Sequence, residues 1–123
     1  MTASIFILAG EASGDLLASR IMRAVNAKYG QQKWVGLGGV YMTTEGLKSV
    51  DEMHRLSIIG LKESIINYNN LLAFADELIE YIMKQRPQLI MTIDAKGFSV
   101  RFAARLRRCM QRAGWTIPII HTV

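Results

Sequence analysis

Apolar positions along the chain follow two patterns that alternate. Short, nearly unbroken apolar runs stand at residues 4–8 (SIFIL), 33–37 (KWVGL) and 89–93 (LIMTI). Consecutive apolar residues over such a length predict strands buried on both faces of a parallel sheet, because an edge strand with one wet face would alternate. Between these runs the period lengthens to that of a helix. Residues 15–29 carry Leu17, Ile21, Ala24 and Val25 at helical spacing and stop at Gly30. Residues 71–85 place Leu71, Leu72, Ala75, Leu78, Ile79 and Ile82 on one face and end before Pro87. A third helix is predicted over 98–113, with Phe98, Phe102, Leu106 and Cys109 on its apolar face and Gly114 closing it. A short segment at 40–45 is stopped by Gly46, and residues 117–121 supply a last strand. Residues 48–60 are mixed, and 56–59 fit a strand or a turn packed on the sheet edge.

Strands that alternate with helices predict an α/β fold, a doubly wound parallel sheet with helices on both faces. Ligands of such sheets lie beyond the carboxyl ends of the strands. Three segments are expected to converge there: residues 10–15, 36–39 and 94–98.

Length sets the ceiling at one domain, since 123 residues bury a single core. Composition changes little in this picture, because 50% hydrophobic and 20% charged residues are ordinary globular usage. The net charge of +5 makes an anionic partner plausible without choosing between phosphate, lipid and nucleic acid. Cys109 is the single cysteine, so an intrachain disulfide and a cysteine-based zinc cluster are excluded, in keeping with a reducing compartment. No secretory leader is expected, because Glu11 and Asp15 interrupt the apolar start, and no run of about 18 apolar residues offers a bilayer span.

Candidate chemistry begins with the turn after the first strand, Leu8-Ala-Gly-Glu-Ala-Ser-Gly-Asp15. A glycine-rich turn between strand and helix brings backbone N–H groups and a helix N-terminus to the rim, a place for anions or sugar hydroxyls. The spacing of Gly10 and Gly14 is neither a dinucleotide fingerprint nor a phosphate loop. The turn also admits a purely structural role, with Ser13 capping the helix and Asp15 complementing its dipole. Glu11, between the glycines, is the residue that capping leaves unexplained. Asp94, at the end of a buried strand, fits either a helix cap or a general base, the latter worth about 10²–10⁴-fold in rate. Arg101, Arg105, Arg108 and Arg112 share a stripe on the third helix, either a solvated flank or a phosphate-facing surface. The stretch 60–74, with Leu61, Ile65, Ile66, Tyr68, Leu71, Leu72 and Phe74, suits core packing or contact with acyl chains. His54 and His121 lack a carboxylate motif, and no metal site is assigned.

The order of these pieces resembles the lipid-A-disaccharide synthase family of glycosyltransferases. The resemblance rests on Ala9-Gly-Glu-Ala-Ser-Gly-Asp15, Trp34-Val-Gly-Leu-Gly-Gly39 followed by Met42 and Glu45-Gly46, Ile58-Ile-Gly60 with Glu63, Ile93-Asp-Ala95 with Phe98, and Ile120-His121. It runs through the whole chain and covers about the first third of such an enzyme. It implies the Rossmann-like N-terminal, acceptor-side domain of a GT-B type glycosyltransferase, truncated, with residues 1–123 as one incomplete domain and the UDP-sugar domain absent. The reaction so implied is hexosyl transfer, with inversion, from UDP-2,3-diacylglucosamine to 2,3-diacylglucosamine 1-phosphate in lipid A biosynthesis. No cofactor or metal is expected. Asp94 is the implied base, and Gly10, Glu11, Ser13, Gly14, Asp15, Gly38 and Gly39 are the implied substrate-binding residues.

Leu61, Ile65, Leu71 and Leu72 are the implied acyl-chain or membrane contact of an enzyme in the cytoplasm, peripheral to the inner membrane, with no nucleic-acid partner. Where the family continues Ile-Asp-Ala with Pro-Asp-Phe-Asn, this chain has Lys96-Gly97-Phe98-Ser99, without the second acid and the proline. Thr122 stands where the family has Tyr. The isolated chain is expected to be inactive for want of a UDP site. The alternative to the enzyme is a free-standing, catalytically inactive α/β ligand-binding module.

Overall fold

The computed structural model describes residues 3–51, 53, 56, 65–93 and 96–122. In chain order these form β1 (Ser4–Ala9), α1 (Ala12–Tyr29), β2 (Lys33–Leu37), α2 (Val40–Thr44), β3 (Leu47–Ser49), α3 (Ile65–Gln85), β4 (Leu89–Ile93), α4 (Lys96–Ala113) and β5 (Ile119–Thr122). The described strands make one parallel sheet in the order β3-β2-β1-β4-β5. The chain thus winds outward from β1 to β3, returns to the other side of β1, and winds outward again through β4 to β5. This is the expected doubly wound, Rossmann-like architecture.

Side chains alternate across β1, and each set fills a different core. Ile5, Ile7 and Ala9 face α1 and α2, where Ala18, Met22, Trp34, Met42 and Leu47 close the layer. Phe6 and Leu8 face α3 and α4, against Phe74, Leu78, Ile82, Phe102 and Leu106. A strand buried on both sides needs this unbroken apolar run, and every residue of β1 is buried. Burial of Tyr81 on α3 pushes its hydroxyl above the ordinary 10.0, and its ring lies 6.3 Å from that of Phe6.

Predicted boundaries shift at several elements, and α4 begins at Lys96, two residues before the expected start. Helix α1 begins at Ala12, three residues before the expected start, so Gly14 and Asp15 lie inside it. Its buried face runs through Gly14, Asp15, Ala18, Ser19 and Met22. Leu17, Ile21 and Val25 flank that face, and Ala24 is exposed. Apolar periodicity alone misplaced the stripe, because small residues are what let a helix lie close on a sheet. Helix α3 starts six residues early, at Ile65. The last strand occupies Ile119–Thr122 rather than 117–121, since Pro118 has no N–H to offer the ladder, although its carbonyl accepts from Ile90. The short β3 falls in the segment whose pattern was mixed, and of 56–59 only Leu56, buried in the α3/α4 core, lies among the described residues.

Candidate functional site

Winding reverses between β1 and β4, whose last residues, Ala9 and Ile93, are register partners. Two loops must part in opposite directions there, so a crevice opens at the carboxyl ends. The turn at residues 10–11 leaves β1 toward α1, and β4 ends at Ile93 before α4 begins at Lys96 on the other face. Asp94 itself lies outside the described residues, as do Leu61 and the side chain of Ile65.

Gly14 is what brings α1 close to this crevice. A Cβ there would lie 3.4 Å from both the Ala9 Cβ and the Ile93 carbonyl oxygen, so the helix rests almost on the backbone of the two central strands. The N-terminal amides of α1 are thereby delivered to the switch point. Glu11 is the N-cap, in extended conformation and without a side-chain cap bond. Ser13 is therefore not the cap that its type suggested. It sits in the first turn, with its hydroxyl 3.5 Å from Glu11 Oε1. Both side chains are exposed.

Asp15 points the other way. It is 3% exposed, and its carboxylate accepts backbone N–H bonds from Gly39 (3.0 Å to Oδ1), Met42 (3.0 Å to Oδ1) and Tyr41 (3.1 Å to Oδ2). These are the amides at the start of α2, which lacks a side-chain cap of its own. Asp15 thus complements the dipole of α2, 24 residues or more along the chain, rather than serving only its own helix. Gly39 has no side chain for the same reason, since a Cβ there would fall 2.6 Å from Asp15 Oδ2. Gly38 is buried, and its Cβ would meet Met42 Sδ at 2.3 Å. The two glycine-rich turns are therefore one assembly, pinned by one carboxylate.

Sequence inspection passed over two further groups. Asn26 Oδ1 accepts from Trp34 Nε1 at 2.9 Å and from the Gln32 N–H at 3.0 Å, and its amide donates to the Glu45 carbonyl at 3.2 Å. This ties the far end of α1 to β2 and α2. An asparagine eight residues before a tryptophan is too common to have signalled it. On the opposite face, the Thr92 hydroxyl on β4 and His121 Nδ1 on β5 lie 2.8 Å apart. In the arginine stripe, Arg105 is taken up by Asp76 of α3, with bonds of 2.8 to 3.0 Å. Leu71 and Leu72 are partly buried, and Leu71 packs against the α3/α4 core. Among the described residues no cluster of His, Cys, Asp and Glu could hold a metal ion.

Fold and crevice together define a Rossmann-like α/β domain that presents a glycine-rich turn, an exposed acid and a hydroxyl at its topological switch point. The family model described as lipid-A-disaccharide synthetase matches residues 5–123. The chain is 38% identical over 104 residues to the lipid-A-disaccharide synthase of Pseudomonas syringae pv. tomato, covering 85% of this chain and 27% of that protein. It is 38% identical over 120 residues to the enzyme of that name from Rhodospirillum centenum, covering 97% and 29%. For the Pseudomonas putida W619 protein of the same name the figures are 36% identity over 104 residues, 85% and 28%. The chain belongs to the lipid-A-disaccharide synthase family, a glycosyltransferase family of lipid A biosynthesis, and spans less than a third of the length of these relatives.

Proposed function

We propose that this chain is the acceptor-side portion of a lipid-A-disaccharide synthase. Its crevice holds 2,3-diacylglucosamine 1-phosphate while a UDP-sugar domain beyond these residues supplies 2,3-diacylglucosamine. The observation that carries this reading is the exposure of Glu11 and Ser13 at the end of β1, directly beside the end of β4 where Asp94 follows. A polyol held by Glu11, Ser13 and the α1 amides is the acceptor in this reading, and Asp94, next in sequence after β4, is the base proposed for its reactive hydroxyl. Single displacement with inversion needs one such base, and stabilisation of the departing UDP falls to the other domain. Gly14, Gly38 and Gly39 serve by letting α1 and the β2–α2 turn pack closely behind the proposed site, Gly10 by turning the chain from β1 toward α1, and Asp15 by holding the β2–α2 turn in place.

No helix among the described residues is long and apolar enough to cross a membrane. The proposed contact with the inner membrane is peripheral, from the cytoplasmic side, through Leu61, Ile65, Leu71 and Leu72. An inactive binding module is the second reading, favoured by Lys96-Gly97 in place of the family's Pro-Asp.

An NMR titration of the 123-residue chain, with and without Asp94→Asn, tests the proposal. Acceptor should shift the amides of Gly10, Glu11 and Ser13, UDP should not, and acceptor with the UDP-2,3-diacylglucosamine donor should yield no disaccharide with this chain alone. A folded spectrum that acceptor leaves unmoved would overturn the acceptor-site reading.

A further inference from the structure

The Thr92–His121 pair lies on the sheet face that α4 covers, one residue short of the ends of β4 and β5. Thr92 is 1% exposed, whereas His121 is exposed on the outermost strand. A buried hydroxyl must place its own hydrogen, and His121 Nδ1, at 2.8 Å, is positioned to accept it. If Nδ1 accepts, the ring proton resides on Nε2, and the imidazole presents a fixed N–H donor to solvent at the ligand end of the sheet.

Two more features stand on the same face and at the same end. Helix α4, 18 residues long, starts at Lys96 with no acid in its first turn, and its N-terminal amides carry the positive end of the helix dipole. Within that first part of the helix Ser99 is 2% exposed, and its hydroxyl has no hydrogen-bond partner. A buried hydroxyl without a partner forfeits its hydration with nothing in return. Such a group is expected where a ligand or water completes the site.

We infer that His121 Nε2, oriented by Thr92, donates to a phosphate oxygen at the β4–β5 side of the crevice, with Ser99 and the first-turn amides of α4 completing the anion site. Converging N–H and O–H donors, in a chain of net charge +5, suit an oxyanion. His121 is the binding residue and Thr92 a positioning residue. The inference deepens the proposed function, since an acceptor 1-phosphate is one source of that oxyanion and free phosphate is the other.

Only two histidines occur in the chain, so ¹⁵N-histidine labelling reads His121 against His54 as an internal control. In alkaline buffer, above the ordinary imidazole range, the His121 shifts should report the Nε2–H tautomer, and Thr92→Val should move them toward the free tautomer mixture while the His54 signals stay. Inorganic phosphate and glucosamine 1-phosphate should each shift His121 Nε2 saturably, with at least a tenfold weaker response in Thr92→Val, and neutral N-acetylglucosamine should not. An Nδ1–H tautomer, or equal responses of His54 and His121 to phosphate, would overturn the anion site. Acceptor shifts at Glu11 and Ser13 with His121 unmoved would overturn it while leaving the proposed function standing. A response to inorganic phosphate, with none at Glu11 or Ser13 to acceptor, would keep the site and remove the proposed function.

Discussion

Asp15 shows how one side chain can couple two loops that the sheet leaves separate. Its two oxygens accept three N–H bonds at the start of α2. Substitution by alanine would leave those amides without partners in a part-buried place, and a hydrogen bond to a charged group contributes a net of about 1.5–3 kcal/mol, less where water can reach the freed amides. Asp15→Ala should therefore lower the unfolding free energy by about 2–4 kcal/mol in a urea titration. Asp15→Asn should cost less, about 1–2 kcal/mol, because one amide oxygen can still serve Gly39 and Met42 while its NH₂ faces the Tyr41 N–H, donor against donor. Equal costs for the two variants would mean that the charge, not the geometry of acceptance, is what α2 requires. The acid was visible in the sequence as a residue for a helix start. Its true partner was not, because that partner exists only once β1 and β2 have paired.

At the scale of elements, the glycines divide into those the fold cannot replace and those the site uses. Gly36 sits within β2 at φ +139°, and a Cβ there would stand 2.0 Å from the Ile7 carbonyl oxygen on the neighbouring strand. Backbone cannot retreat inside a ladder, so Gly36→Ala should cost more than about 4 kcal/mol and give little folded protein on expression. Gly14 has an ordinary helical conformation and its Cβ would make contacts of 3.4 Å, which are normal packing. Gly14→Ala should fold and change stability by no more than about 1 kcal/mol, since alanine's helix propensity offsets the crowding. If the proposed acceptor site is correct, it should nevertheless weaken the acceptor response by narrowing the gap at the switch point. Strands such as Lys33–Leu37 and Leu89–Ile93 were legible to the residue, because burial on both faces keeps them almost wholly apolar, with Lys33 at an exposed end and Thr92 the single buried polar position. Helix starts and β3 were not. Glu11 is a poor cap by type, and a three-residue edge strand with two exposed positions has no period to detect.

For the whole molecule, the sheet stands between two cores, one under α1 and α2 and the other under α3 and α4. All four phenylalanines lie on one side. Phe102 stacks on Phe98 at 5.6 Å and Phe6 at 6.2 Å, and Phe98 meets Phe74 at 6.1 Å. This chain of rings fixes the first turns of α4 over the sheet, where the proposed phosphate site lies. Met22, fully buried, fills the other side beneath α1. Phe102→Leu should cost about 1–2 kcal/mol and Met22→Ala about 2–4 kcal/mol. With β1 and β4 between them, the two should add to within about 0.5 kcal/mol in the double variant. Their functional consequences should differ in kind. Phe102→Leu loosens the base of α4 and should weaken the response of His121 to phosphate, whereas Met22→Ala should leave that response intact at temperatures where both variants are folded. A coupling above about 1 kcal/mol, or a His121 response lost equally in both, would show that the central strands transmit displacement between the faces, and that the crevice is held by the sheet as a unit rather than by each helical layer separately.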